Sequence, residues 1–149
     1  MIPTFRCDCP ITSALDILGD KWMLVIVKQM LMQGKKTFKD FTESEEAIAT
    51  NILSVKLKLL EEVGIVSKNN MPNNKKTKLY LLTEKGLALT PVIVELADWS
   101  DHHLRNLNPT IQDGEAMDLL RSDKLAFTAF LEKNYREQTA AIIHEGNSN

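Results

Sequence analysis

The stretch IATNILSVKLKLLEEVGIV, residues 48–66, carries two patterns in succession. Ile48, Ile52, Leu53, Leu57 and Leu60 recur at steps of three and four, which puts them on one side of a helix. Thr50, Asn51, Ser54 and Lys58 fall on the other side, with Lys56 toward the flank. The spacing predicts a helix over 48–63. Gly64 suits the left-handed residue that ends a helix, and Ile65-Val66 opens a β-branched run that reads as a strand.

The same reading extends along the chain. Pro10 suits a first helical turn, and Ile11, Ala14, Leu15 and Leu18 follow a helical period up to Gly19. Asp20 is a good N-cap for a second helix, Lys21–Met32. Its apolar positions (Trp22, Leu24, Val25, Ile26, Met30, Leu31) cover so much of the circumference that it belongs inside the core. Lys35-Lys36-Thr37 reads as a short link, at most a single β-bridge, and Phe38–Thr42 as a short helix with Phe38 and Phe41 facing inward. Residues 43–46 make a polar turn before the helix at 48. Ile65–Lys68 and Lys78–Leu82 read as strands joined by a long, lysine-tipped asparagine- and proline-rich loop. Thr83 caps a further helix in which Pro91 marks a kink or the effective start; Asn108-Pro109 breaks it, and Asp113 caps a last helix over 114–144.

A short helix, a tight turn, a polar-faced helix and then a hairpin make a winged helix-turn-helix. The fold class expected is mainly α with a small β-hairpin wing, in one domain spanning 1–149. Residues 10–86 form the winged-helix core. The N-terminal segment and 87–144 serve as dimerisation helices, because the apolar positions near 96–104 and 119–135 exceed what one winged helix needs to close its core.

Composition changes this picture little, but charge sharpens it. With 149 residues, 44% hydrophobic and 26% charged, the chain has the make-up of a soluble globular domain. The longest apolar run, near Met23–Val27, is cut by Lys28, and the start MIPTFRCDCP lacks a signal-peptide core, so a cytoplasmic protein is expected. The net charge of −2 is unusual for a DNA binder. Its distribution is uneven: residues 1–83 hold 12 basic and 9 acidic side chains, residues 84–149 hold 6 and 11. A small positive patch on an acidic body suits phosphate binding at one face. The expected DNA contacts are Thr50, Asn51, Ser54 and Val55 at bases, Lys56, Lys58, Lys75, Lys76 and Lys78 at phosphates, and Ala49 beside them at the helix start.

Catalytic patterns are missing. There is no His-Glu-x-x-His zinc helix, phosphate-binding glycine loop or Gly-x-Ser-x-Gly elbow, so no enzyme and no cofactor are expected. His102, His103 and His144 read as surface histidines rather than metal ligands, and Trp22 and Trp99 as core. Cys7 and Cys9 are too close for an unstrained mutual disulfide. They read as inert thiols, a soft-metal pair or a redox switch. Cys9 stands just ahead of a helix N-terminus, whose dipole favours the thiolate, and Arg6 and Lys21 stand ready to add to that effect.

Taken together, Cys9-Pro10, Ala14-Leu15-Asp16, Leu18-Gly19, Lys21-Trp22, Phe38, Phe41, Leu53-Ser54, Lys56-Leu57, Leu60-Glu61-Glu62, Gly64-Ile65-Val66, Tyr80, Leu82-Thr83-Glu84, Gly86, Pro91 and Trp99 resemble the HxlR family of bacterial winged-helix transcription regulators, relatives of the MarR group. The resemblance spans about Cys9 to Trp99. It implies a homodimeric DNA-binding regulator that responds to reactive or toxic small molecules such as an oxidant or an electrophile. A dimer sets two recognition helices about one duplex turn apart, roughly 34 Å, which suits a palindromic operator and most simply a repressor, and Trp22 and Trp99 leave an aromatic effector between the helices as a further expectation. It also puts Cys9 at the family's sensing position, with Cys7 as an extra thiol. The departures are Glu46-Ala47 where the family usually has Pro-Gly, Asn51 and Val55 where it commonly has Lys and Gln, Asp20 where a second Gly is common, and a wing carrying Lys75-Lys76 in place of proline and arginine. The alternative reading is a winged helix used for protein interaction, its DNA face idle.

Overall fold

Pro10 has no amide hydrogen to lose at a helix start, and α1 runs Pro10–Leu18. Asp20 Oδ1 then accepts from the amides of Trp22 and Met23 at 2.7 and 2.9 Å, and α2 spans Met23–Gln33. The capping carboxylate is the expected one, although the regular helix starts two residues later than Lys21. Met23, Ile26, Val27, Met30 and Leu31 are buried, which makes α2 the central rod of the core. The computed structural model describes residues 2–147, with side chains as far as Ile143, so His144 lies outside the described side chains.

The short helix α3, Phe38–Thr42, is set by a reciprocal cap. The Asp40 amide donates to Thr37 Oγ1, and the Thr37 amide donates to Asp40 Oδ2. Phe41 is fully buried, its ring edge-on to Tyr80 with centroids 6.4 Å apart. Phe38 differs from expectation: as the first residue of α3 it sits at the rim of a cleft facing the hairpin and stays 37% exposed. A turn follows in which Ala47 takes φ +54°, and α4 runs Thr50–Glu62. Ile48 leads into this helix rather than belonging to it. Both Ile48 and Leu53 are buried, at the two positions that staple a helix start. Leu53, Leu57 and Leu60 bury the inner stripe, each worth roughly 1.5–3 kcal/mol. Gly64, at φ +80°, lets the Ile65 amide return to the Leu60 carbonyl and closes the helix.

The hairpin is β1, Val66–Met71, against β2, Asn74–Leu82, antiparallel in register Val66↔Leu82 to Asn70↔Lys78 with an irregularity before Met71. The long loop expected from the sequence is absent. Cross-strand pairing continues to a tight Pro72-Asn73 turn, because one asparagine at φ +64° suffices to reverse the chain. Residues 35–37 add no strand; toward the hairpin they give the hydrogen bond from the Tyr80 amide to the Lys36 carbonyl at 2.7 Å.

Beyond the hairpin, Thr83 caps α5, Glu84–Leu87, and Pro91 begins the longer α6, Thr90–His103. The single last helix of the sequence reading is two. In α7, Glu115–Ser122, Asp113 is not the cap; its carboxylate pairs with Arg121 at 2.7 Å. The extended Asp123 then breaks the rod, and its carboxylate accepts from the Ala126 amide to start α8, Lys124–Asn147. Met117, Leu120, Phe127, Leu131 and Tyr135 join the same buried cluster as α2, α4 and the hairpin base. Asp101 of α6 binds Arg105 at 2.7 Å and Arg121 of α7 at 2.8 Å, so ion pairs lock α7 in place.

Candidate nucleic-acid interface

The outer face of α4 consists of Thr50, Asn51, Ser54, Val55 and Lys58, all exposed, with Ala49 exposed at its N-cap. Val55 is 62% exposed, an apolar group among polar ones that fits the thymine methyl of a major groove. No side chain caps this helix, so its first amides are left without a side-chain acceptor from the N-cap.

Two carboxylates brace α4 against α2. Asp20 Oδ2 holds the Lys56 ammonium at 2.6 Å while Oδ1 caps α2. Lys56 is half-buried there, which separates it from the phosphate role expected of it. Glu46, in the turn ahead of α4, accepts from Lys28 and, at 3.0 Å, from Gln29 Nε2. Burial pushes the Glu46 carboxyl up, but the Lys28 ammonium, a backbone amide and Gln29 outweigh it and hold the group below its ordinary value. Gln29 is 1% exposed, and its Oε1 meets no donor.

Across from α4 stands the hairpin. Thr37, Phe38, Lys39, Thr42, Thr50, Lys76, Thr77, Lys78 and Tyr80 surround one open cleft of about 610 Å³, so the start of α4 and the lysines of β2 flank the same space. Lys75 and Lys76 are exposed strand residues beside the turn; Lys78 Nζ lies 2.6 Å from Asn70 Oδ1 across the hairpin. Lys39, also on this cleft, was not singled out in the sequence. Its only signal there was its place on the short helix before α4. Lys68 and Lys58 meet in a smaller cleft of about 280 Å³ between β1 and α4.

The cysteines lie at the far end of α1. Cys9 is the N-cap residue of α1, half-exposed; Cys7 is exposed, and both are free thiols. The Thr12 amide, the Thr12 hydroxyl and the Ile11 amide favour the thiolate at Cys9 and hold its pKa below the ordinary thiol value. Arg6 does not take part: its guanidinium is 2.6 Å from Asp16. Lys21 lies over the Trp22 ring at 5.1 Å. α1 shows Ile11 and Leu15 to solvent in the turns that follow Cys9, and α6 shows Val92, Leu96 and Trp99. Trp99, expected in the core, is 56% exposed and packs on His103 with ring centroids 5.6 Å apart, because it continues the outward stripe of α6. Among the described residues no group of three or more His, Cys, Asp and Glu side chains is placed to hold a metal ion, and no helix is long and apolar enough to cross a membrane.

A short helix, a turn, an outward polar helix and a lysine-bearing hairpin around one cleft define a winged helix-turn-helix DNA-binding protein. The pattern of the HxlR-like helix-turn-helix matches residues 17–108, and the chain belongs to the HxlR family. It is similar to the HTH-type transcriptional regulator YodB of Bacillus subtilis (strain 168), 39% identical over 94 residues that make up 62% of this chain and 83% of that protein. The crystal structure of quinone-bound YodB aligns with a TM-score of 0.53 and 38% identity over 64% of this chain and 99% of the other. The redox regulator HypR in its reduced form aligns with a TM-score of 0.58 and 29% identity, over 68% of this chain and 99% of the other. The chain is thus a transcriptional regulator of the HxlR type. The family match ends at residue 108, before α7 and α8.

Proposed function

We propose that the protein is a homodimeric repressor in the cytoplasm that binds a palindromic operator through α4 and the wing, and that leaves DNA when Cys9 is modified. The observation that supports the reading is the shared cleft, which Thr50 at the start of α4 flanks together with Lys76 and Lys78 of the wing. In the dimer, two copies of α4 stand about one duplex turn apart, roughly 34 Å, in successive major grooves. Thr50, Asn51, Ser54 and Val55 face bases, with Ala49 close to the backbone; Lys58, Lys75, Lys76 and Lys78 hold phosphates. Lys56 acts indirectly, by fixing α4 to Asp20.

The dimer surface in this reading is the outward stripes of α1 and α6, which bring Cys9 to the edge of the interface. The lowered pKa raises the thiolate fraction at Cys9. With a quinone, the thiolate adds to an electron-poor ring carbon: an S–C bond forms and the ring takes up a proton to become a hydroquinone thioether. An adduct of that size at the first turn of α1 displaces the helix and changes the spacing of the two reading helices. Support comes from relatives whose structures are described as quinone-bound and redox-regulating.

The test is a mobility-shift series on the DNA upstream of the protein's own gene. Lys76→Ala is expected to weaken all sequences alike and flatten the salt slope by about one unit per dimer half. Asn51→Ala is expected to relax discrimination by about 1–3 kcal/mol at one base pair instead. Benzoquinone is expected to release wild type and spare Cys9→Ser. Unchanged salt dependence in Lys76→Ala removes the wing assignment, and equal release of Cys9→Ser removes the switch.

A further inference from the structure

We propose that α8 stands in for a third strand at the base of the wing, and that Tyr135 is a positioning residue which sets the wing's angle on DNA. The amides of Tyr80 and Leu82 both turn away from β1, toward the edge of β2 where a third strand would pair. The Tyr80 amide is met by the Lys36 carbonyl, and the Leu82 amide donates to Tyr135 Oη at 2.7 Å. Leu82 and Tyr135 are both buried, so no water replaces this acceptor. The next residue, Arg136, forms an ion pair with Glu84, just past β2. At its other end α8 is tied to α6 through Lys124 and Asp98 at 3.0 Å. All of α8 lies beyond the matched family segment.

The geometry makes the contact matter at a distance. Above it, a groove of about 810 Å³ separates Met71, Leu79 and Leu81 of the hairpin from Ile142 and Ile143 of α8. The wing is therefore held at its base and open toward its tip. From Leu82 to Lys76 is roughly 20 Å at about 3.3 Å per residue, so a tilt of about 10° at the base moves Lys76 by roughly 3 Å, the scale of a phosphate contact.

Tyr135→Phe removes the acceptor and keeps the ring. The expected result is amide exchange at Leu82 faster by about tenfold or more and faster exchange through 74–80, with α2 and α4 unchanged. Acceleration confined to Leu82, or none, overturns the proposal. A double-mutant cycle on operator DNA gives the functional readout, resting on the phosphate role of Lys76 argued above. If Tyr135 positions the wing, Lys76→Ala costs at least several-fold in affinity in wild type and less than twofold in Tyr135→Phe. Equal cost in both backgrounds overturns the positioning role, since a structural effect alone lowers both affinities in proportion. A Lys76→Ala variant silent in wild type, with 74–80 still loosened by Tyr135→Phe, defeats the phosphate reading and supports the strut.

Discussion

Ala47 holds φ +54° in the turn that launches α4, a conformation that crowds a β-carbon against the following carbonyl. The family resemblance places a glycine there. Replacing Ala47 by Gly removes roughly 1–2 kcal/mol of local strain and costs part of that, about 0.4–1 kcal/mol, in the extra freedom of the unfolded chain. The net expected is a stabilisation of about 1 kcal/mol. With about 2.1 cal/mol/K per residue of unfolding entropy over this length, that corresponds to about 3 °C in Tm. Asn73, at φ +64° in the wing turn, is the internal control: asparagine visits this region readily, so Asn73→Gly is expected to gain almost nothing. The assay is urea unfolding followed by fluorescence of Trp22 and Trp99, at matched protomer concentration so that subunit association does not enter the difference. A midpoint for Ala47→Gly at or below wild type refutes the strain argument. Equal gains at both positions refute it too, since the effect is then a general one of glycine in turns.

A β-carbon at Gly86 would fall inside van der Waals contact with the Ile65 carbonyl oxygen, so Gly86→Ala is expected to destabilise by about 1–3 kcal/mol, read from the same urea midpoint. Asp101 gives a pH signature. Hydrogen bonds from Arg121 and then Arg105 hold its carboxyl far below the usual range. A depressed folded pKa means stability present above the unfolded value near 4 and lost as pH falls toward the folded one. Wild type is therefore expected to lose thermal stability below about pH 4 more steeply than Asp101→Asn, and parallel curves would contradict the ion-pair assignment.

Much of the fold is legible in local patterns, and the misses share a cause. The stripe Leu53-Leu57-Leu60, the cap at Thr83 and the stop at Gly64 are fixed by neighbours in sequence and are read from local pattern, whereas in α2 the fully buried Met23 and Val27 do not stand out because the helix is apolar on nearly every side. The length of the wing strands is hidden in the sequence because their asparagines and lysines have poor strand propensity; cross-strand partners override that, and partners are not local. Asp123 was missed as a break because an acidic residue inside an amphipathic run looks like ordinary helix surface until its carboxylate is seen capping the next helix. For the candidate site, the exposed face of α4 follows from helical spacing. That Lys56 belongs to Asp20, 36 positions away, follows only from packing, as does the meeting of Lys39 with the wing across one cleft. Trp99 shows the limit of composition: a tryptophan in an apolar stripe reads as core, yet its stripe points outward.

Phe127, Leu131 and Tyr135 fill the core that α2, α4 and the hairpin begin. During synthesis this imposes an order. When residue 108 has left the ribosome, every residue of the reading head is available, yet the cavity that α8 fills is still open to water. Translation beyond residue 108 then decides when the head becomes rigid, so a frameshift or early stop soon after 108 would yield a chain with α4 and the hairpin intact in sequence and no firm means of presenting them.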